Sequence, residues 1–383
     1  MSDTAGDLLE LVRTGRARTR SELRHLTGLS RTAVVSRVSA LAEAGLLLLG
    51  GELDSTGGRR PGSLLFNKDA GVVLAAAIGR SRSQLAVFDL VGVELGVASF
   101  DHELGAGPDA VMPEVTAQLR KLVDAVGRPV FGIGVSLPGA VDPARGISVD
   151  SPVLAAWAGV DLAPSLAALG DVPIFVGNDA DVLARSERMG YAGVYQDLIV
   201  VKASTGLGLG IIAEGRVVAG HLGAAGEIGH TKVDAAAGLP CRCGDSGCLE
   251  TVAGGWALVN RMAEAGRAIS HVRELTAMAV AGDPEAKQLL RESGRRLGEP
   301  LAVAINLLNP EAVVIGGDMA GAFDVYSAGV RESVYARASA IATRELRIVP
   351  STFGDRAGVV GCAAMALDQV LSADAVQSRL QGD

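Results

Sequence analysis

Apolar residues recur at helical spacing from the start of the chain. Residues 7–16 carry Leu8, Leu9, Leu11 and Val12 on a short stripe. Ser21 is placed to cap a second helix, Gly28 to end it and Ser30 to cap a third. In the third helix Val34, Val38 and Leu41 face one way, while Ser30, Arg31, Thr32, Ser36 and Arg37 fall elsewhere. A helix-turn-helix needs this division, because one face seats the helix and the polar N-terminal residues reach base edges in the major groove. Residues 46–49 and 63–66 then read as a strand and its return. The Gly-rich tip between them carries Arg59 and Arg60, which predicts a basic wing for the minor groove or the phosphates.

Beyond residue 68 the pattern changes. Residues 71–87 and 91–97 read as a hairpin of buried strands, and 130–135, 172–176, 198–201 and 312–315 as further apolar strands. Most end in a turn rich in Gly, Asn or Asp: Ser136–Gly139, Gly177–Ala180, Ser204–Gly210 and Gly316–Asp318. Helical segments are expected over 111–126, 181–190, 250–264, 283–308 and 358–371. Alternating strands and helices predict an α/β domain with its ligand at the strand ends. The expected division is 1–68 for the DNA-binding part and 69–383 for the rest.

With 49% apolar and 20% charged residues, the 383-residue chain has ample material for packed cores and is not globally disordered. Only 3% of residues are aromatic, which does not suit a sandwich or a carbohydrate platform built on aromatic stacking. No apolar run is long enough for a membrane span, and the N-terminus lacks the basic start of a signal peptide, so the expected location is cytoplasmic. The net charge of −8 hides an asymmetry. Between Leu11 and Arg60 nine Arg face four acidic residues, a local +5 that leaves −13 for the remainder. Arg is the side chain best suited to phosphate and base contacts, which strengthens the expectation of DNA binding.

Three of the four cysteines fall in eight residues, as Cys241, Cys243 and Cys248, with His230 upstream. Three thiolates and an imidazole make a closed tetrahedral Zn²⁺ site, which has no open position for water activation and is therefore structural. Cys362 lies in an apolar segment and reads as core. Clamping this loop would bring Glu227 and Glu250 near each other, while Asn178 and Asp179 sit at a strand end. Carboxylates and an amide converging on a pocket suit a polyhydroxylated ligand, because each carboxylate accepts several hydroxyl hydrogen bonds.

These motifs resemble the ROK family (repressor, open reading frame, kinase) over nearly the whole chain. The resemblance rests on the cysteine knuckle with Gly226–His230 before it and Glu250 after it, and on Ser136–Gly139, Gly177–Ala180, Thr205–Gly208 and Asn309–Gly317. It implies an N-terminal winged helix-turn-helix joined to a two-lobed, actin-like (ribonuclease H-like) sugar-kinase fold. In the family's kinases the Asp matching Asp179 takes the proton from the sugar hydroxyl. Residues matching Gly139, Asn178, Glu227, His230 and Glu250 belong to the sugar site, so that His230 would serve both zinc and sugar. The winged helix marks the family's transcription regulators, generally repressors or dual regulators relieved by a sugar or sugar derivative.

Family kinases open this domain with an Asp-x-Gly-Gly-Thr turn that meets the ATP phosphates. Here the stretch from Ala77 to Arg82 puts Ala77 in place of the acid and Arg80 where a small residue is expected. The reading is a non-catalytic sensor that binds operator DNA as a homodimer or homotetramer, controls carbohydrate uptake or catabolism genes, and responds to a sugar. The alternative is an ATP-dependent sugar kinase with an appended DNA-binding domain.

Overall fold

In the computed structural model the chain is described over residues 4–52, 62–103, 105–142, 145–150 and 155–382. Helix α1 (Ala5–Arg13) begins at a reciprocal cap, in which Thr4 Oγ1 accepts from Asp7 N and the Asp7 carboxylate accepts from Thr4 N. Helix α2 (Arg20–Thr27) is capped by Thr19, not by the expected Ser21. Thr19 is extended and accepts from Glu22 N, whereas Ser21 is already helical. Gly28 ends α2 at φ +73°, a left-handed conformation that glycine adopts without a side-chain clash. Ser30 caps α3 (Arg31–Glu43), accepting from Ala33 N at 3.2 Å. Val34, Val38 and Leu41 are fully buried, as their spacing requires. Strands β1 (Leu47–Glu52) and β2 (Gly62–Phe66) pair antiparallel, with Leu47 opposite Phe66. The expected wing tip with Arg59 and Arg60 lies outside the described residues.

The first lobe holds a five-stranded sheet of β3 (Val72–Ile78), β4 (Arg82–Asp89), β5 (Glu94–Asp101), β6 (Val130–Leu137) and, after the small hairpin β7 (Ala140–Asp142) and β8 (Ile147–Asp150), β9 (Ile174–Asn178). The strand order is β5-β4-β3-β6-β9, with β6 parallel to both β3 and β9. The hairpin expected over 71–97 is instead three antiparallel strands, because Gly79–Ser81 turns the chain inside the first apolar run. Helices α4 (Pro108–Val126) and α5 (Ala163–Leu166) share an apolar cluster with one face of this sheet.

The second lobe starts with α6 (Asp179–Met189) and builds a second sheet from β10 (Leu198–Ala203), β11 (Leu207–Ala213), β12 (Arg216–Val217), β13 (Ala312–Gly316) and β14 (Arg347–Pro350). Its order is β12-β11-β10-β13-β14, with β13 parallel to β10 and β14. Between β12 and β13 come α7 (Glu250–Ala253), α8 (Gly255–Glu264), α9 (Val272–Val280) and α10 (Pro284–Leu308). After β13 come α11 (Phe323–Arg337), α12 (Ala340–Thr343), α13 (Ala357–Val370) and α14 (Ala373–Gln381). Helix α13 packs on β3, β6 and α6, and α6 packs on β10 and β11, so these two helices join the sheets.

Helix α14 leads back to the beginning of the chain. Leu8, Leu9, Val38, Val370, Leu371 and Val376 belong to one continuous apolar cluster. Ala5 N donates to Gln377 Oε1 at 3.3 Å. Fully burying a leucine stabilises by roughly 1.5–3 kcal/mol, so the helix-turn-helix is docked on α14. Among the described residues no single helix is long and apolar enough to cross a membrane.

Candidate functional site

A cavity of about 300 Å³ opens between the lobes, where β3, β6, β9, β10 and β13 end. The structure brings Gly139, Asn178, Asp179, Glu227, His230 and Glu250 into its lining. The turn from Gly79 to Arg82 and the start of α13, at Ala357 and Gly358, complete the wall.

One ligand atom from each of His230, Cys241, Cys243 and Cys248 lies within 4.8 Å of the others. His230 Nδ1 is 3.7 Å from Cys241 Sγ, and Cys243 Sγ is 3.8 Å from Cys248 Sγ. A tetrahedron with zinc–sulfur bonds near 2.3 Å separates its ligand atoms by about 3.8 Å, so the donor set fits a zinc ion. Burial pushes the Cys241 thiol up to about 12, so thiolates at this position would require a cation beside them. Lys232 Nζ donates to Cys248 Sγ at 3.1 Å and adds positive charge beside the thiolates. With Nδ1 turned to the cluster, His230 Nε2 faces Glu227 Oε2 at 3.9 Å. The same imidazole thus turns one nitrogen to the cysteine cluster and the other to the cleft. Gly226 aims Glu227 and is required twice over: its φ is +89°, and a Cβ there would meet Leu209 O at 2.0 Å.

The polar residues are more committed than the sequence suggests. Asn178 Oδ1 caps α6 through Ala180 N at 2.7 Å, and its Nδ2 donates to Gly139 O at 2.7 Å. Glu250 is buried and already accepts from Leu207 N (3.0 Å), Arg242 (2.7 Å) and Trp256 Nε1 (3.0 Å). Asp179 accepts from Lys202 Nζ at 2.5 Å, an ion pair spanning from α6 to β10. Burial alone would lower Lys202, but Asp179 brings it above its ordinary value, so it stays an ammonium. Sequence reasoning missed Lys202, Arg242 and Trp256, whose partners are remote in the chain or hidden by the fold.

Asp181, one turn into α6, was also missed. Burial pushes its carboxyl up from 3.8 to about 7, with Asp179 and Glu227 adding repulsion. An acid raised in the folded state binds a proton that the unfolded chain releases, so its contribution falls as pH rises from about 4 to about 7. Each pH unit of that separation is worth about 1.4 kcal/mol. Asp181→Asn is therefore expected to stabilise the protein by roughly 2–4 kcal/mol at pH 8, with the gain shrinking toward pH 4. Thermal unfolding of both proteins across this range checks it, and a constant difference would contradict it.

On α3, Arg31, Thr32 and Ser36 are exposed, and so is Val35, an apolar side chain that polar patterning did not single out. Ser30 is tied to the helix start as its cap. Arg37 is half-buried, with Nη1 enclosed, and lines a groove with Gln377 and Leu380 of α14. At 100° per residue it lies well around the helix from the face that Thr32 and Ser36 share.

Residues 73–369 match the ROK family. The chain is 28% identical over 356 residues to the xylose repressor of Bacillus subtilis, covering 92% of this chain and 91% of the relative. It is 29% identical over 386 residues to the N-acetylglucosamine repressor of Escherichia coli O6:H1, covering 94% and 91%. The crystal structure of a ROK family transcriptional regulator, a homologue of the E. coli MLC protein, superposes with a TM-score of 0.82 at 26% identity, covering 99% of this chain and 98% of that one. A ROK family glucokinase from Streptomyces griseus, in complex with glucose and AMPPNP, superposes with a TM-score of 0.66 at 26% identity, covering 76% and 98%. The winged helix-turn-helix and two-lobed actin-like fold expected from the sequence agree with these structures.

Proposed function

The chain belongs to the ROK family, and we propose that it is a sugar-responsive DNA-binding transcription regulator, a repressor of carbohydrate uptake or catabolism genes, whose cleft senses without catalysing. The observation that carries this reading is the helix-turn-helix docked through α1 on α14, the helix that follows α13 out of the cleft wall. The domains divide at residue 68. Arg31, Thr32 and Ser36 read bases with Val35 against a thymine methyl, while Arg59 and Arg60 hold phosphates. The protein acts in the cytoplasm on operator DNA as a homodimer or homotetramer, with zinc in a structural role. Similarity to repressors named for xylose and for N-acetylglucosamine supports a monosaccharide or its derivative as effector.

In this mechanism the effector's hydroxyls are held by Asn178, Asp179, Glu227, His230 Nε2 and the remaining acceptor capacity of Glu250. Occupancy favours one lobe arrangement over another, and α13 and α14 carry that difference to the winged helix. A ligand can do this only through unequal affinity for the two arrangements.

Against catalysis stand two features of the cleft. Asp179 Oδ2 already accepts a hydrogen bond from the Lys202 ammonium at 2.5 Å, which occupies an acceptor site that a sugar hydroxyl would need. The turn at Ala77–Arg82 lacks a carboxylate for the metal and carries Arg80 where a triphosphate would approach the backbone. Incubation with ATP, Mg²⁺ and a panel of hexoses is expected to give no phosphorylated sugar. Turnover that Asp179→Asn abolishes would establish the kinase instead.

A further inference from the structure

Arg37 of α3 faces α14 with no carboxylate to meet it. A groove of about 390 Å³ separates Ser36, Arg37 and Ala40 of α3 from Gln377, Leu380 and Gln381 of α14, and the start of α1 completes its lining. No residue of that lining is acidic. The Arg37 guanidinium is half-buried, and its Nη1 is enclosed without a hydrogen-bond partner among the described residues. Arg13 of α1, by contrast, pairs with Glu10 on its own helix at 2.6 Å. An enclosed, unmet donor on a charged group raises the free energy of the arrangement that encloses it. Phosphate oxygens are among the partners that a guanidinium matches best.

Helix α14 also stands where DNA would have to pass. Ser36 belongs to the exposed face of α3 with Thr32, and Arg37 lies about 100° further round on its flank. An α-helix with its side chains is about 10–12 Å across, and the major groove is about 12 Å wide. A recognition helix seated there has a phosphate backbone along each flank and no room for a second helix beside it. Gln377, Leu380 and Gln381 lie beside Ser36 and Arg37, on the side where one of those backbones would run. Helix α14 is itself anchored to the first lobe. Val376 is buried, and the Arg379 guanidinium lies 3.7 Å from the centre of the Phe131 ring on β6. The helix bundle of α1, α2 and α3 is therefore the part that has to move.

We infer that the docked arrangement is the DNA-free state: α14 covers one flank of α3, and when the bundle shifts off α14, Arg37 takes a DNA phosphate as the partner it lacks here. This rests on the regulator reading above and gives its coupling a physical form, competition between α14 and a DNA backbone for one side of the recognition helix. An effector in the cleft then acts by favouring the docked arrangement.

Gly6→Ala tests this without touching α3 or the cleft. A Cβ at Gly6 would meet Ala373 O at 2.3 Å, so the substitution pushes α1 off α14, while alanine favours the helix that carries it. Leu380→Ala is a second variant, which thins α14 where it faces α3. The affinity of the full-length protein, without sugar, is measured by fluorescence anisotropy for the DNA upstream of its own gene and for a random-sequence duplex of the same length. A gain of about fivefold or more on both duplexes, in either variant, is the expected result. Arg37→Gln in the Gly6→Ala protein should weaken binding to both duplexes and flatten the salt dependence by about one counterion, whereas Arg37→Lys should keep that dependence. Metal content and cooperative melting certify that each variant is folded. No gain in either Gly6→Ala or Leu380→Ala would overturn the competition. An Arg37→Gln protein with unaltered affinity and salt dependence would overturn the phosphate contact. Inorganic phosphate that binds the DNA-free parent but not Arg37→Gln, with no gain in Gly6→Ala, would make the groove an anion site instead. These outcomes leave the regulator reading standing; a parent and variants that bind neither duplex would remove both.

Discussion

Cys243→Ser is expected to strip the metal from the protein and to disorder the effector cleft with it. The four ligands come from two segments, His230 on one and Cys241, Cys243 and Cys248 on the other. Backbone bonds such as Leu249 N to Thr231 O at 2.8 Å align the segments, and the metal would lock them. Structural zinc sites contribute apparent binding energies of roughly 10–16 kcal/mol to small folded domains, far more than any other single interaction in this loop. Glu227, Arg242 and Glu250 each lie within three residues of a ligand and face the cavity. Loss of the ion therefore removes effector binding as well as local stability. Metal analysis should fall from about one ion per chain to near zero, the melting temperature should drop, and titration should show no effector response. Cys362→Ala is the control: Cys362 is fully buried in α13, its thiol approaching Ala76 O at 3.5 Å, and that variant should keep its metal. A wild-type protein purified without metal, folded and responsive, would contradict the assignment.

The second large effect concerns DNA. Arg31→Ala and Thr32→Ala remove exposed side chains from the first turn of α3 without touching the buried Val34, Val38 and Leu41. Each substitution is expected to cost about 1–3 kcal/mol of specific affinity and to relax preference at the base pair it reads. Arg59→Ala and Arg60→Ala should instead weaken binding at all sequences and reduce the salt dependence by about one counterion each. Gel shifts against the DNA upstream of the protein's own gene, repeated at several salt concentrations, separate the two classes. If the wing variants bind as well as the parent, the wing does not hold phosphates.

What the sequence revealed, and what it hid, follows the range of the interactions. The helix-turn-helix was legible because caps and a 3.6-residue stripe are local signals, although Thr19 took the capping role expected of Ser21. The cysteine cluster was legible because its spacing is short. The Gly-rich run after β10 misled: read as a turn, it continues into strand β11. Those glycines make room for a helix, since a Cβ at Gly210 would meet that of Ala184 at 2.4 Å. Lys202 was illegible for a similar reason. It reads as an interruption in an apolar strand, and only the fold brings Asp179 to it across 23 positions. Helix α14 was passed over because Val376 is its single buried residue. Yet it is the element that ties the winged helix to the cleft-bearing lobes.

That tie is the centre of the account: filling the cleft alters how the protein holds DNA. The direct measurement is the affinity of the full-length protein for its upstream DNA, at fixed salt, with and without a saturating sugar or sugar ester shown by calorimetry to occupy the cleft. Coupling energies of 1–3 kcal/mol between linked sites correspond to changes of about 5- to 150-fold. The account predicts a loss of DNA affinity in that range. An affinity that stays the same while calorimetry shows the cleft filled would contradict it.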